Sequence, residues 1–253
     1  MAEALTKHVH VEHVMGTAVT FDVRGERPPA DAIDAAVGWL HGVDGQFSTY
    51  RPESAVCRFD RGELLLSDAS ADMRWIVDRC ERLRRETGGF FDAYANGSFD
   101  PSALVKGWAV ERAADGLRAA GFERFCINAG GDVVARGRAG SDQPWRIGIR
   151  HPHDPQALAG VVEADGDLAV ATSGLYERGD HIIDPVSRRA PEGVLSVTVT
   201  GPDLGTADAY ATAAFAMGRD GPAWTLRLDG YESMTIFDDG TVLATPAFPA
   251  ART

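Results

Sequence analysis

The sequence predicts an α+β fold in which mixed or antiparallel sheets pack against helices. Helical patterns lie in the first half of the chain and once more near its end, whereas short strand candidates fill most of the second half. Some of these strands are separated by two-residue turn signals, and such turns join antiparallel neighbours. A doubly wound α/β fold would alternate strands with helices instead. No change of composition marks a boundary, so we expect one domain over residues 1–253.

The clearest helix covers residues 70–86, where Arg and Glu occupy one face and apolar side chains the other. The apolar side chains recur at helical spacing: Met73, Ile76, Val77, Cys80 and Leu83. Gly88 and Gly89 end this helix. Similar spacing predicts helices over 31–40, 102–120 and 207–217, and the segment 47–60 is expected to be a loop that leads into a short turn.

Strand candidates have β-branched or aromatic residues bounded by Gly, Pro and Asp. They cover residues 17–23, 124–128, 132–136, 145–150, 161–164, 168–172, 181–183, 194–200, 233–237 and 241–243. The dipeptides Asp165-Gly166 and Asp239-Gly240 each lie between two candidates and predict hairpins.

Composition excludes several classes of function. The 253 residues carry a net charge of −12, which disfavours a nucleic-acid partner. No apolar run approaches the length of a bilayer span, so we expect no membrane insertion. The three cysteines, Cys57, Cys80 and Cys126, form no C-x-x-C pair, and no signal peptide is visible at the start of the sequence. These features favour a cytoplasmic protein.

Two segments contain groups suited to anionic ligands. The stretch DPSALVKGWAVERA, from Asp100, opens a helix whose free N–H groups could hold an anion within reach of Lys106, although a capped surface helix explains it equally well. It lacks the spacing of a P-loop. The stretch NAGGDVVARG, from Asn128, has paired glycines that would let a backbone approach a ligand or would form a tight turn.

Two later segments contain candidate catalytic and metal-binding groups. In HIIDP, His181 and Asp184 point to opposite faces if the strand is regular, and His181 is then a catalytic group or simply a solvent-facing side chain. Asp208 and Thr212 lie four residues apart on one helix face, where their oxygens suit Mg²⁺. Asp208 has a second explanation, because a carboxylate near a helix N-terminus also complements the helix dipole. Together the segments indicate a phosphate-containing ligand, a divalent metal and a histidine.

In their order along the chain, six segments resemble the ApbE family, the FAD:protein FMN transferases. They are MGTAVTFDV, FSTYRPESAVCRFD, DPSALVKGWAVERA, NAGGDVVARG, TSGLYERGDHIIDP and TADAYATAAFAMG. The resemblance implies a Mg²⁺-dependent enzyme that cleaves FAD, attaches FMN through a phosphoester to a threonine of a partner flavoprotein, and releases AMP. A FAD pyrophosphatase and a FAD-binding protein without turnover are the alternatives.

The resemblance also implies roles for individual residues. It places the metal on Asp208, Thr212 and the carbonyl of Val105, and it makes His181 the catalytic residue. The residues that it places near the flavin, the nucleotide or the pyrophosphate are Met15, Tyr50, Asp100, Lys106, Asp132 and Thr172. Where family members read D-x-G-G-[IY]-A-K-G, this chain keeps Asp100, Lys106 and Gly107 but has other residues between them.

Overall fold

A large antiparallel sheet forms the centre of the protein. The computed structural model describes residues 6–25, 30–174 and 182–251. In this part of the chain, eight strands pair in the order β1-β2-β3-β4-β7-β8-β9-β10, and every neighbouring pair is antiparallel. Strands β5 and β6 form a separate antiparallel pair. The predicted α+β class is confirmed.

The strands are β1 (Lys7–Val14), β2 (Thr17–Arg24), β3 (Phe125–Ala129), β4 (Asp132–Arg136), β5 (Trp145–Arg150), β6 (Leu158–Ala164), β7 (Leu168–Gly174), β8 (Val194–Gly201), β9 (Glu232–Phe237) and β10 (Val242–Ala244). The α-helices are α1 (Ala30–Phe47), α2 (Ala55–Asp60), α3 (Ala71–Glu86), α4 (Ser102–Ala119), α5 (Leu204–Ala216) and α6 (Gly221–Thr225). None of these helices has the length and apolar character needed to cross a bilayer, within the residues described.

The two faces of the large sheet belong to different hydrophobic clusters. On one face, Phe21, Ile127 and Val197 pack with the apolar sides of the helices, including Leu104 and Phe215. The larger of the two clusters therefore joins the helices to the sheet. On the other face, the β5-β6 pair covers the middle strands through a smaller cluster: Val133, Ala135, Trp145, Ile147, Ile149, Val162, Ala164, Val170, Met234 and Ile236.

Helix α1 is longer than the 31–40 segment that the sequence predicted. Val43 and Phe47 are buried and continue the apolar face that Ile33 and Leu40 begin, so packing extends the helix beyond the predicted end. The segment expected to be a loop contains the short helix α2, in which the Ser54 side chain accepts a hydrogen bond from the Cys57 N–H at 3.2 Å. Strand β1 was not predicted, although its apolar and polar residues alternate.

The hairpin predicted at Asp165-Gly166 is wrong. Strands β6 and β7 flank this dipeptide but do not pair with each other: β6 pairs with β5, and β7 lies between β4 and β8. Because both edges of β7 are used, β6 leaves the large sheet and buries Val162 and Ala164 in the smaller cluster. The second predicted hairpin, at Asp239-Gly240, is confirmed by the antiparallel β9-β10 pair.

The strand predicted over residues 181–183 is also wrong where the structure describes it. Ile182 and Ile183 belong to no strand, and Asp184 forms an isolated bridge with Arg189. The Asp184 side chain accepts hydrogen bonds from the N–H groups of Val186 at 2.9 Å and Ser187 at 3.3 Å. These bonds favour a turn over an extended strand.

Candidate active site

A cavity of about 230 Å³, the first cavity, lies where α4, α5 and β7 come together. The N-terminal part of α4 contributes Lys106, and the last residues of β7 contribute Thr172. Helix α5 contributes Asp208 and Thr212, the two residues that the sequence placed on one helix face. These four residues, which the sequence singled out in separate segments, therefore border one cavity.

A second cavity of about 560 Å³ adjoins the first. Met15 lines it from the β1–β2 turn, Phe47 from the end of α1 and Val105 from α4. The two cavities share four lining residues: Thr49, Tyr50, Ser102 and Lys106. Of the predicted metal ligands, Val105 thus faces the second cavity, whereas Asp208 and Thr212 face the first.

The Met15 backbone is held in an unusual conformation beside the second cavity. Val14 pairs with Thr17, so Met15 and Gly16 form a two-residue turn with φ angles of +54° and +72°. A left-handed conformation costs a non-glycine residue roughly 1–2 kcal/mol. The tight β1–β2 connection imposes this conformation and directs Met15 toward the cavity.

Asp132 lines neither cavity but holds two residues that do. Its carboxylate is 1% exposed, and Oδ2 lies 2.5 Å from Nζ of Lys106. Its Oδ1 accepts the backbone N–H of Thr172 at 3.2 Å. Gly130 and Gly131 form the tight turn before it, because Ala129 pairs with Asp132 across the β3-β4 hairpin. The glycines are therefore a turn, and Asp132 fixes a cation beside the site.

Thr212 and its neighbours supply oxygen atoms suited to a hard cation. Thr212 Oγ1 lies 3.2 Å from Oγ of Ser173, and Asp208 is buried in the first turns of α5. No three His, Cys, Asp or Glu side chains gather as metal ligands in the described part of the chain. One carboxylate with hydroxyl and carbonyl oxygens nonetheless fits Mg²⁺, which keeps water and phosphate oxygens as its other ligands.

The loop between α3 and α4 closes the remaining side of the first cavity. Thr87 Oγ1 donates to the Leu83 carbonyl at 2.8 Å and accepts the Phe91 N–H at 2.9 Å, and these two bonds hold the loop in place.

At the start of α4, Asp100 Oδ1 accepts the N–H of Ser102 at 3.0 Å. The start of α4 is therefore partly capped by a carboxylate, and fewer donors are available to an anion than the sequence predicted.

Several cavity residues were not singled out from the sequence. They are Thr49, Phe90, Phe91, Asp92, Asn96 and Ser173. Their only sequence signal was position: Thr49 and Ser173 lie inside segments that were singled out, and the others lie between the helix predicted over 70–86 and Asp100. Ser173 follows the predicted residue Thr172 and, like Gly174, lines the first cavity.

His181, the predicted catalytic residue, lies outside the described residues. The next two residues along the chain, Ile182 and Ile183, line the first cavity, and Ile182 is buried in the larger hydrophobic cluster. Asp184 ends the segment as a turn-forming residue. Burial acts against its ionisation, but the hydrogen bonds from Ser187 and Val186 prevail and lower the pKa of the Asp184 carboxyl.

Comparisons with known proteins identify the family of this chain. The model of the ApbE family matches residues 15–98 and 93–235. A FAD:protein FMN transferase of Vibrio cholerae is 31% identical over 198 residues, which cover 75% of this chain and 56% of that protein. One of Rhodobacter capsulatus is 38% identical over 160 residues, or 60% of this chain and 30% of that protein. The chain thus matches about half or less of the length of these two relatives.

Solved structures match over nearly the whole chain. The flavin transferase ApbE from Vibrio cholerae has a TM-score of 0.84 and 25% identity, over 96% of this chain and 98% of that one. The apo form of Pseudomonas stutzeri flavinyl transferase ApbE has a TM-score of 0.85 and 22% identity, over 99% of both chains. With a family model matched over most of its length, this chain belongs to the ApbE family.

Proposed function

We propose that this protein is a FAD:protein FMN transferase. It cleaves the pyrophosphate of FAD, attaches FMN through a phosphoester to a threonine of a partner flavoprotein, and releases AMP. The observation that carries this proposal is the first cavity, which brings Lys106, Thr172, Asp208 and Thr212 to one place. Family membership and the names of the related proteins support the same activity.

The reaction exchanges one phosphorus–oxygen bond for another. The hydroxyl oxygen of the acceptor threonine bonds to the phosphorus on the riboflavin side of FAD. The bond from that phosphorus to the bridging oxygen breaks, and AMP leaves with the electron pair. Such a transfer depends on positioning and charge neutralisation more than on covalent catalysis.

Asp208, Thr212 and the Val105 carbonyl would hold Mg²⁺ in this proposal. The ion would supply positive charge next to the pyrophosphate. Lys106 faces both cavities, so its ammonium group can neutralise phosphate charge at their junction. Asp132 orients that ammonium group at 2.5 Å, and Asp100 accepts the N–H of Ser102, the first residue of the helix that carries it.

The second cavity is the proposed place for the larger part of the flavin nucleotide. It is more than twice the volume of the first, and Met15 and Phe47 give it apolar walls. Tyr50 borders both cavities with a largely exposed ring that can stack on a planar group. Thr172 offers a hydroxyl on the side of the first cavity.

His181 is the proposed acceptor of the threonine proton. An unperturbed imidazole titrates close to neutral pH, as a general base requires. Support comes from its two neighbours, because Ile182 and Ile183 border the first cavity.

The test compares Asp208→Ala with the wild-type protein and with two substitutions of Thr212. Each protein is incubated with FAD and Mg²⁺, with and without a flavoprotein that carries an acceptor threonine, and FMN fluorescence on the acceptor is measured in gels. We expect Asp208→Ala to lower the transfer rate at least about 100-fold, because a catalytic metal contributes several kcal/mol. Thr212→Val should lose most activity, and its matched control Thr212→Ser, which keeps the hydroxyl, should retain it.

Each outcome distinguishes the alternatives. Free FMN and AMP without acceptor indicate a FAD pyrophosphatase, and tightly bound FAD without products indicates a binding protein. Wild-type transfer rates in Asp208→Ala would contradict the metal assignment.

A cytoplasmic location is part of the proposal and is supported by the thiols. Cys57, Cys80 and Cys126 are all free thiols, which is typical of proteins in a reducing compartment. Fractionation of cells that express the protein tests the location, and recovery outside the cytoplasm would refute it.

A further inference from the structure

Glu111 connects three elements behind the proposed metal site. It lies on α4, and its Oε1 forms an ion pair with Nη2 of Arg136 on β4. Its Oε2 accepts the backbone N–H of Leu204, the first residue of α5, at 3.0 Å. The side chains of Glu111 and Arg136 are only 13% and 7% exposed, so both carboxylate oxygens have partners away from bulk solvent.

The two helices joined by this contact carry the proposed metal ligands. Val105 lies on α4 less than two turns before Glu111. Asp208 and Thr212 lie on α5, one and two turns after Leu204. The spacing between the helices therefore sets the distance from the Val105 carbonyl to the oxygens of α5.

Two glycines bring these helices into direct backbone contact. A Cβ added to Gly107 would lie 2.6 Å from the Leu204 carbonyl oxygen and 2.9 Å from Cα of Gly205. A Cβ on Gly205 would lie 3.2 Å from the backbone nitrogen of Trp108. Because no side chain separates the two backbones, the position of Leu204 directly sets the position of the start of α5 relative to α4.

The pKa of the Glu111 carboxyl is raised on balance, because burial is the largest influence and the charge of Asp203 adds to it. The Arg136 charge and the Leu204 N–H act in the opposite direction. The carboxylate also faces the positive end of the α5 dipole. Arg136 is itself fixed, because Nη1 donates to the Ala135 carbonyl at 3.0 Å.

We propose that Glu111, held by Arg136, is a positioning residue that sets the geometry of the magnesium site. It touches neither FAD nor the metal but fixes the first turn of α5 against α4. This inference rests on the proposed function, because it presumes Mg²⁺ between Val105, Asp208 and Thr212.

The experiment uses Glu111→Gln in the full chain. An amide has one acceptor oxygen, so Gln can serve Arg136 or the Leu204 N–H but not both. We expect the Mg²⁺ concentration for half-maximal transfer to rise about tenfold, as for other residues that orient metal ligands. The KM for FAD at saturating Mg²⁺ should stay within about twofold, since the flavin contacts are intact.

A second measurement does not depend on turnover. Calorimetric titration of Mg²⁺ into the FAD-loaded protein without acceptor should give the same tenfold weaker Kd for Glu111→Gln. Glu111→Asp keeps the charge but shortens the side chain by one methylene, and it should weaken Mg²⁺ binding by a similar factor. It serves as the second variant if Glu111→Gln does not fold.

Trp39→Phe is the matched control. Trp39 Nε1 donates to the Ala109 carbonyl of α4 at 2.9 Å, so this variant also removes a hydrogen bond to α4 without touching α5. It should leave the Mg²⁺ response unchanged. A wild-type Mg²⁺ response in folded Glu111→Gln overturns the inference, as does an equal shift in Trp39→Phe.

The wild-type protein and Asp208→Ala separate failure of the inference from failure of the proposed function. If wild-type transfer needs Mg²⁺ and Asp208→Ala abolishes it, an unchanged Glu111→Gln refutes the positioning role alone. If wild-type transfer is indifferent to Mg²⁺, the proposed metal site fails and the positioning role fails with it.

Discussion

The floor and the rim of the first cavity are built in different ways. The floor consists of lining residues on α4, β7 and α5 (Lys106, Thr172, Ser173, Asp208 and Thr212), and the rim consists of lining residues on loops, such as Tyr50. Floor residues come from regular elements and are held in place. Asp132, which lies behind the floor, holds Lys106 and the Thr172 N–H, and Ser173 lies 3.2 Å from Thr212. The rim is formed by loops, and the Tyr50 ring on it is 91% exposed.

This difference separates two tasks. Polar groups held in place before a ligand arrives can stabilise developing charge without reorganisation. Exposed rings add little to folding and remain available to a ligand or a partner protein. Substitutions in the floor should therefore change folding and turnover together, whereas substitutions in the rim should change binding alone.

The largest effect should follow Lys106→Met, a floor substitution. It leaves the Asp132 carboxylate buried without its cation at 2.5 Å. Loss of one partner of a buried ion pair costs about 3 kcal/mol, so urea denaturation should show a drop of that size in the free energy of unfolding. Transfer activity should fall as well.

The matched control for this prediction is the double variant Lys106→Met/Asp132→Asn. Its Asn can still accept the Thr172 N–H, and no buried charge remains, so most of the lost stability should return while activity does not. If the single variant is as stable as the wild type, the floor is not held by this ion pair.

An intermediate effect, confined to binding, should follow the rim substitution Tyr50→Ala. Removal of an exposed side chain should change the free energy of unfolding by less than about 0.5 kcal/mol. Loss of one stacking contact, worth about 1.4 kcal/mol, should raise the KM for FAD about tenfold. Tyr50→Phe, which keeps the ring, should behave like the wild type in steady-state assays. A large loss of stability in Tyr50→Ala would remove the distinction between rim and floor.

The smallest effect should come from pH at the rim turn that Asp184 forms. Its pKa in the folded protein is lowered, so the ionised carboxylate stabilises the turn above the ordinary carboxyl pKa of about 3.9. That contribution is lost as the pH falls through the folded value. Solvent screening keeps it below about 1 kcal/mol.

The measurement compares urea unfolding of the wild type and Asp184→Asn between pH 7 and pH 3. The wild type should be slightly more stable at pH 7, and the two should converge in acid. A difference that grows as the pH falls would contradict the assigned sign.

Local features of the site could be predicted because they depend on helix geometry. Asp208 and Thr212 share a face of α5 because they lie four residues apart, and both border the first cavity. Helices α3 and α4 were predicted almost to the residue, since Ser70 caps α3 and apolar periodicity defines both.

The contacts between elements could not be predicted in the same way. Nothing local indicates that Glu111 reaches Leu204, 93 residues later, or that Asp132 pairs with Lys106. The Asp165-Gly166 dipeptide is a good turn signal, yet its flanking strands belong to different sheets. The roles of the site residues, and the single domain over residues 1–253, stay predictions.

The sequence by itself determined the α+β class, most helices and strands, and the segments that carry the site residues. These follow from periodicity and turn chemistry, which act over a few neighbouring residues. Only the tertiary structure decided which segments meet: β4 beside β7, which brings Asp132 to Thr172, and α4 against α5 through Gly107. Such contacts are set by packing, because burial in a shared core, not proximity along the chain, selects the neighbours of each element.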